Sequence, residues 1–106
     1  MEGIEMICFN IITNVGMARA SFIEAIDLAC DGKFLEADEK MKEGKEFFLQ
    51  GHHAHTELIQ KEASGEKTEL MLILVHAEDQ LMSAESFKIL AEKFIALNKK
   101  IESRVG

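Results

Sequence analysis

Two polar residues stand where an apolar helix should have none. His76 and Asp79 lie at i and i+3 in the stretch Leu70 to Ala84, so they share one helix face. A neutral imidazole is a nucleophile at neutral pH, and a carboxylate in an apolar setting must be paired, protonated or metal-bound, because burying it uncompensated costs several kcal/mol. The plain structural alternative is a packed histidine hydrogen-bonded to the aspartate. A second set of imidazoles, His52, His53 and His55, offers another chemistry: His52 and His55 at i, i+3 could hold a transition metal with His76 or Glu57. His52 otherwise reads as a hydrogen-bonded seam residue, and His53 faces solvent. Cys8 and Cys30 sit in apolar stretches of one helix and read as buried free thiols rather than a disulfide.

These residues are carried on long helices. The chain of 106 residues has no proline and only seven glycines. Two of those glycines, in Asp31-Gly32-Lys33 and Ser64-Gly65-Glu66-Lys67, mark left-handed helix ends. The segments between them predict helices over about 3–30, 33–63 and 67–102 of a single domain spanning 1–106, at roughly 45 Å each. Short connections make an all-α, antiparallel up-down-up three-helix bundle.

The first helix carries a core stripe of Ile4, Ile7, Cys8, Ile11, Ile12, Val15, Phe22, Ile26 and Ala29, with Gly16, Ala18 and Ala20 allowing close helix approach. The second presents Phe48, Leu49, His52, Thr56, Ile59 and Ala63 inward, with Glu36, Asp38, Glu39, Lys42, Glu43 and Lys45 solvated. The third is apolar nearly all round: one stripe is Leu70, Leu74, Ala77, Leu81 and Ala84, and another is Val75, Met82, Ser86 and Ile89 with Asp79 in its midst.

Two partner helices cannot cover a helix that is apolar all round, so the pattern predicts a homo-oligomer with the third helix at its centre. On a threefold axis, three Asp79 carboxylates would converge and require a cation. Oxygen-only ligands suit a hard ion such as Mg²⁺.

Composition excludes other classes. Nineteen acids against twelve bases give a net charge of −7, which disfavours nucleic acid and anionic membrane surfaces as main partners. Glu2 and Glu5 stand where a signal peptide would be positive, and the apolar run Leu70 to Val75 is too short to span a bilayer, so a cytoplasmic chain without direct membrane insertion is expected.

The motif Val75-His76-Ala77-Glu78-Asp79-Gln80-Leu81-Met82 resembles the VHAQDHLM element of the lactose/cellobiose-type IIA component of the bacterial sugar phosphotransferase system. Gly16-Met17-Ala18-Arg19 is similar to that family's GxAR, Gly32-Lys33-Phe34 to its GDF, and His52 through Gln60 to its HxxQTELIQ. The resemblance runs collinearly from about residue 4 to residue 102.

It implies a homotrimer of three-helix protomers, a nine-helix bundle, acting as a phosphocarrier. The signature histidine, here His76, would take a phosphoryl group from HPr and pass it to a cysteine of the IIB component, which serves the membrane IIC component. The signature aspartate, here Asp79, would hold the axial metal. Among the departures from the pattern, Glu78 and His55 replace glutamines, and Gln80 replaces a histidine. Arg19 reads either as a contact to a neighbouring subunit or as a phosphoryl ligand. A helical metal-binding or scaffold module is the alternative function. A two-component histidine phosphotransfer domain fits less well, because the residues around His76 lack its usual lysine-glycine surroundings.

Overall fold

The computed structural model describes residues 3–66 and 71–105. They form α1 (Gly3–Cys30), α2 (Phe34–Ala63) and α3 (Leu72–Val105), with no strand among the described residues. The molecule is a rod of 58 × 20 × 20 Å, as expected for helices of 28 to 34 residues laid side by side. The predicted start of the third helix at 67, and Leu70 of its stripe, fall outside the described residues. Its C-terminal end runs three residues past 102.

Both glycines end helices as their sequence context requires. Gly32 and Gly65 have φ of 76° and 94°. At the first turn the Lys33 amide donates to the Leu28 carbonyl and the Gly32 amide to that of Ala29. At the second, Glu66 donates to Lys61 and Gly65 to Glu62. These are Schellman closures, and they turn each helix back along its predecessor.

α1 packs along both partners, whereas α2 and α3 touch one another much less. Its buried stripe of Ile7, Cys8, Ile11, Val15, Ala18, Phe22, Ala25 and Ala29 matches the predicted one closely. By length and composition α1 would also pass for a membrane-crossing helix, but its apolar stripe is the centre of this core.

The α2 seam differs from expectation. Leu49, His52, Ile59 and Ala63 are exposed, and the buried residues are Ala37, Met41, Gly44, Gly51, Ala54 and Leu58, with Phe48 and Thr56 half-buried. The reason is steric. A Cβ on Gly44 would lie 2.5 Å from the Phe22 ring, and one on Gly51 2.6 Å from Val15 Cγ1, so the two glycines set the line of closest approach. Hydrophobic periodicity is blind to them. Gly16, by contrast, has nothing within 4 Å of its missing Cβ, and Ala20 is exposed; of the three residues expected to allow close approach, Gly16, Ala18 and Ala20, only Ala18 is buried.

The thiols also differ from one another. Cys8 is buried and free as expected, but Cys30 is exposed at the last turn of α1, where Asn98 Nδ2 lies 3.8 Å from its sulfur.

Candidate functional site

α3 carries the site on the face its core residues leave free. Ala77, Leu81 and Ala84 are buried against α1 and α2. His76, just before Ala77, and Asp79, between Ala77 and Leu81, are therefore thrown outward, and both are exposed. Val75, Met82 and Ile89, at 50%, 68% and 48% exposure, continue this outer face together with Ser86. The protomer thus leaves uncovered the second stripe that the sequence assigned to further chains. Among the described residues no side-chain hydrogen bond or ion pair engages His76 or Asp79, so a packed His76 bonded to Asp79 is not what the protomer builds.

Two flanks border this outer face. On the α1 side, Arg19 Nη1 donates to Ser83 Oγ at 3.3 Å. Ser83 is two helical turns from His76 on the same flank, which places the guanidinium group about 10 Å along the axis from the imidazole. On the α2 side, His55 Nε2 donates to Glu78 Oε1 at 2.7 Å, with the His55 ring mostly buried and the carboxylate 44% exposed. The sequence reading singled out both residues as departures from a motif but did not pair them. The signal was there in principle, since two departures that complement one another in charge are candidates for contact.

Cys8 is buried in the core at this end of the rod. Burial, and after it the negative charge of Glu78, push its thiol above the usual range.

The imidazoles of α2 do not converge on a metal. His52 is exposed and tilted over Phe48, with ring centroids 6.5 Å apart, and His53 is exposed. His55 is taken by Glu78. Among the described residues no group of three or more His, Cys, Asp or Glu side chains is placed to hold a metal ion. The predicted set of His52, His55 and His76 is not assembled in the protomer.

The described residues thus form a long three-helix bundle with an exposed histidine beside a carboxylate and an uncovered apolar stripe. The sequence profile of the PTS system, Lactose/Cellobiose specific IIA subunit, matches residues 6–99, and the chain belongs to this family. It is a IIA component of the phosphotransferase system, whose members transfer phosphoryl groups. It is 45% identical over 105 residues to the lichenan-specific phosphotransferase enzyme IIA component of Bacillus subtilis, covering 99% of this chain and 96% of the relative. The fold superposes on the crystal structure of the PTS cellobiose-specific enzyme IIA from Bacillus anthracis with a TM-score of 0.92 and 48% identity, covering 97% and 95% of the two chains. It also superposes on the IIA(Chitobiose) component solved in complex with HPr from the Escherichia coli system, with a TM-score of 0.82, 29% identity and coverage of 96% and 99%.

Proposed function

We propose that this IIA component is a cytoplasmic, trimeric phosphohistidine carrier that accepts a phosphoryl group from phospho-HPr on His76 and delivers it to a cysteine of a IIB component. The observation that carries the reading is the exposed His76 standing between buried Ala77 and an uncovered apolar face. The IIA(Chitobiose)–HPr complex of a structural neighbour supports the donor.

In the first step a ring nitrogen of His76 attacks the phosphorus of the donor phosphohistidine. A nitrogen–phosphorus bond forms on His76 as the donor's breaks, and the electron pair returns to the donor imidazole. In the second step the IIB cysteine thiolate attacks the same phosphorus, and His76 recovers its lone pair. Neither step needs an oxidant or a further reactant. Exposure of His76 lets two different proteins reach it in turn. The relatives are named for lichenan, oligo-β-mannoside, cellobiose, lactose and galactose, and we assign the carrier to sugar uptake through the IIC component.

Three α3 helices packed by Val75, Met82, Ser86 and Ile89 would cover the apolar face and bring three Asp79 carboxylates together. That all-oxygen donor set fits Mg²⁺, which would neutralise the converging charge beside the reactive imidazoles. Asp79 would hold the ion, while His76 alone carries the phosphoryl group.

The test is intact mass after incubation with phosphoenolpyruvate, enzyme I and HPr. One acid-labile phosphoryl addition per chain is expected, absent in His76→Ala, with sedimentation of the parent as a trimer. No addition in the presence of active phospho-HPr would overturn the reading.

A further inference from the structure

The two glutamine positions at which this chain departs from its family's motifs, 55 and 78, are in direct contact as His55 and Glu78 at 2.7 Å. We propose that His55 is a positioning residue for phosphoryl transfer, anchoring the Glu78 carboxylate to α2 and keeping it out of the path of the phosphoryl group. The inference rests on the trimeric carrier reading above.

The geometry runs from the helix itself. At 3.6 residues per turn, His76 and Glu78 project about 160° apart around α3, one on each flank of the outer apolar face. A protomer's own Glu78 therefore cannot approach its own His76. In a ring of three parallel α3 helices, however, the α2-side flank of one protomer faces the α1-side flank of the next. Glu78 then borders the neighbour's His76. A glutamine at that position brings no charge, whereas a free carboxylate would oppose an incoming phosphoryl group carrying negative charge of its own.

His55 answers that problem. Its ring, mostly buried between α2 and α3, offers Nε2–H to the carboxylate, which can only accept. The bond holds the carboxylate against α2 of its own protomer, away from the flank shared with the neighbour.

The experiment compares initial rates of His76 phosphorylation by phospho-HPr, read by intact mass, with sedimentation confirming assembly. His55→Leu, which leaves Glu78 unanchored, is expected to slow transfer about tenfold. His55→Gln, which restores an amide donor to the same carboxylate, is expected to stay within about twofold of the parent. The deciding variant is His55→Leu combined with Glu78→Gln: removing the charge should bring the rate back to that of Glu78→Gln alone. A merely structural brace between α2 and α3 predicts the opposite, a double variant as slow as His55→Leu, and that result would overturn the proposal. So would His55→Leu at the parental rate. His55→Ser is read in the same way should His55→Leu fail to assemble. A parent that takes up no phosphoryl group overturns the carrier reading itself, whereas an active parent with an indifferent position 55 overturns only this inference.

Discussion

The two ends of the rod are built on different principles. Around the His76 end the core is made of branched side chains, Ile7, Ile11, Val15, Leu58 and Leu81, and outside it lie the His55–Glu78 bond and an open apolar face. The far end has one fully buried ring, Phe22, set among Ala18, Ala25, Ala29, Ala37 and Ala91 with Met41 and Ile95, and the half-buried rings of Phe34, Phe47, Phe48 and Phe87 pack against this cluster. Its exterior is laced by Lys40–Glu24, Lys45–Glu92 and Lys99–Asp38 pairs, all on solvated side chains. Close backbone approach serves both cores, through Gly44 under the Phe22 ring at the far end and Gly51 under Val15 at the near end. What sets the near end apart is that its outer side chains stay free for other chains. A carrier that must meet two partners in turn benefits from that division, because the reactive face is not needed to hold the protomer together.

The contrast can be broken most severely at Phe22. Truncation to alanine empties the space of the one fully buried ring in this core, so Phe22→Ala should destabilise the fold by about 4 kcal/mol. Ile11→Val at the other end removes one methylene and should cost about 1 kcal/mol. With no Trp or Tyr in the chain, denaturant titration followed by far-UV circular dichroism is the measurement. Equal losses at the two sites would abolish the distinction.

A smaller effect is expected from Gly44→Ala. The new methyl would meet the Phe22 ring at 2.5 Å, and a fully buried ring has no room to yield. Overpacking costs about 1–3 kcal/mol, offset by about 1 kcal/mol of helix propensity, so a net loss near 1 kcal/mol should appear in the same titration. A stabilised variant would mean that the close approach is not what orders this end.

The gentlest probe is the pair of thiols, one at each end. Cys30 is exposed and Cys8 buried, so iodoacetamide at pH 8 should add one group to the native chain and a second only after unfolding, as read by mass. Burial and the Glu78 charge raise the Cys8 thiol. A group whose folded value is raised contributes stability that is full below its unfolded range, about 8.5 for a thiol, and is lost as pH rises through the folded value. The unfolding midpoint should therefore fall in that alkaline range, and Cys8→Ala should remove this part of the fall.

Much of this was legible in the residues. Gly32 and Gly65 marked both turns because only a residue without a Cβ settles readily at positive φ. The α1 stripe was legible because its apolar residues recur at the helical period over seven turns. The second, outward stripe of α3 could be foreseen because an apolar residue at every angle has no protomer surface to face. The α2 seam was not legible, since Gly44 and Gly51 contribute by what they lack, and no hydropathy pattern registers an absence. Exposed Leu49 and Ile59 then drew the expected seam to the wrong side.

By itself the sequence determined three helices, their turns, the family and the place of His76 and Asp79 on one face of α3. Those features are local: periodicity, left-handed glycines and an ordered motif are written within a few turns of helix. The tertiary structure decided which thiol is buried, which line of α2 meets α1, and that His55 on one helix bonds Glu78 on another. Each of these depends on the rotation of one helix against its neighbour, which is set by the packing of Phe22 and Val15 over Gly44 and Gly51.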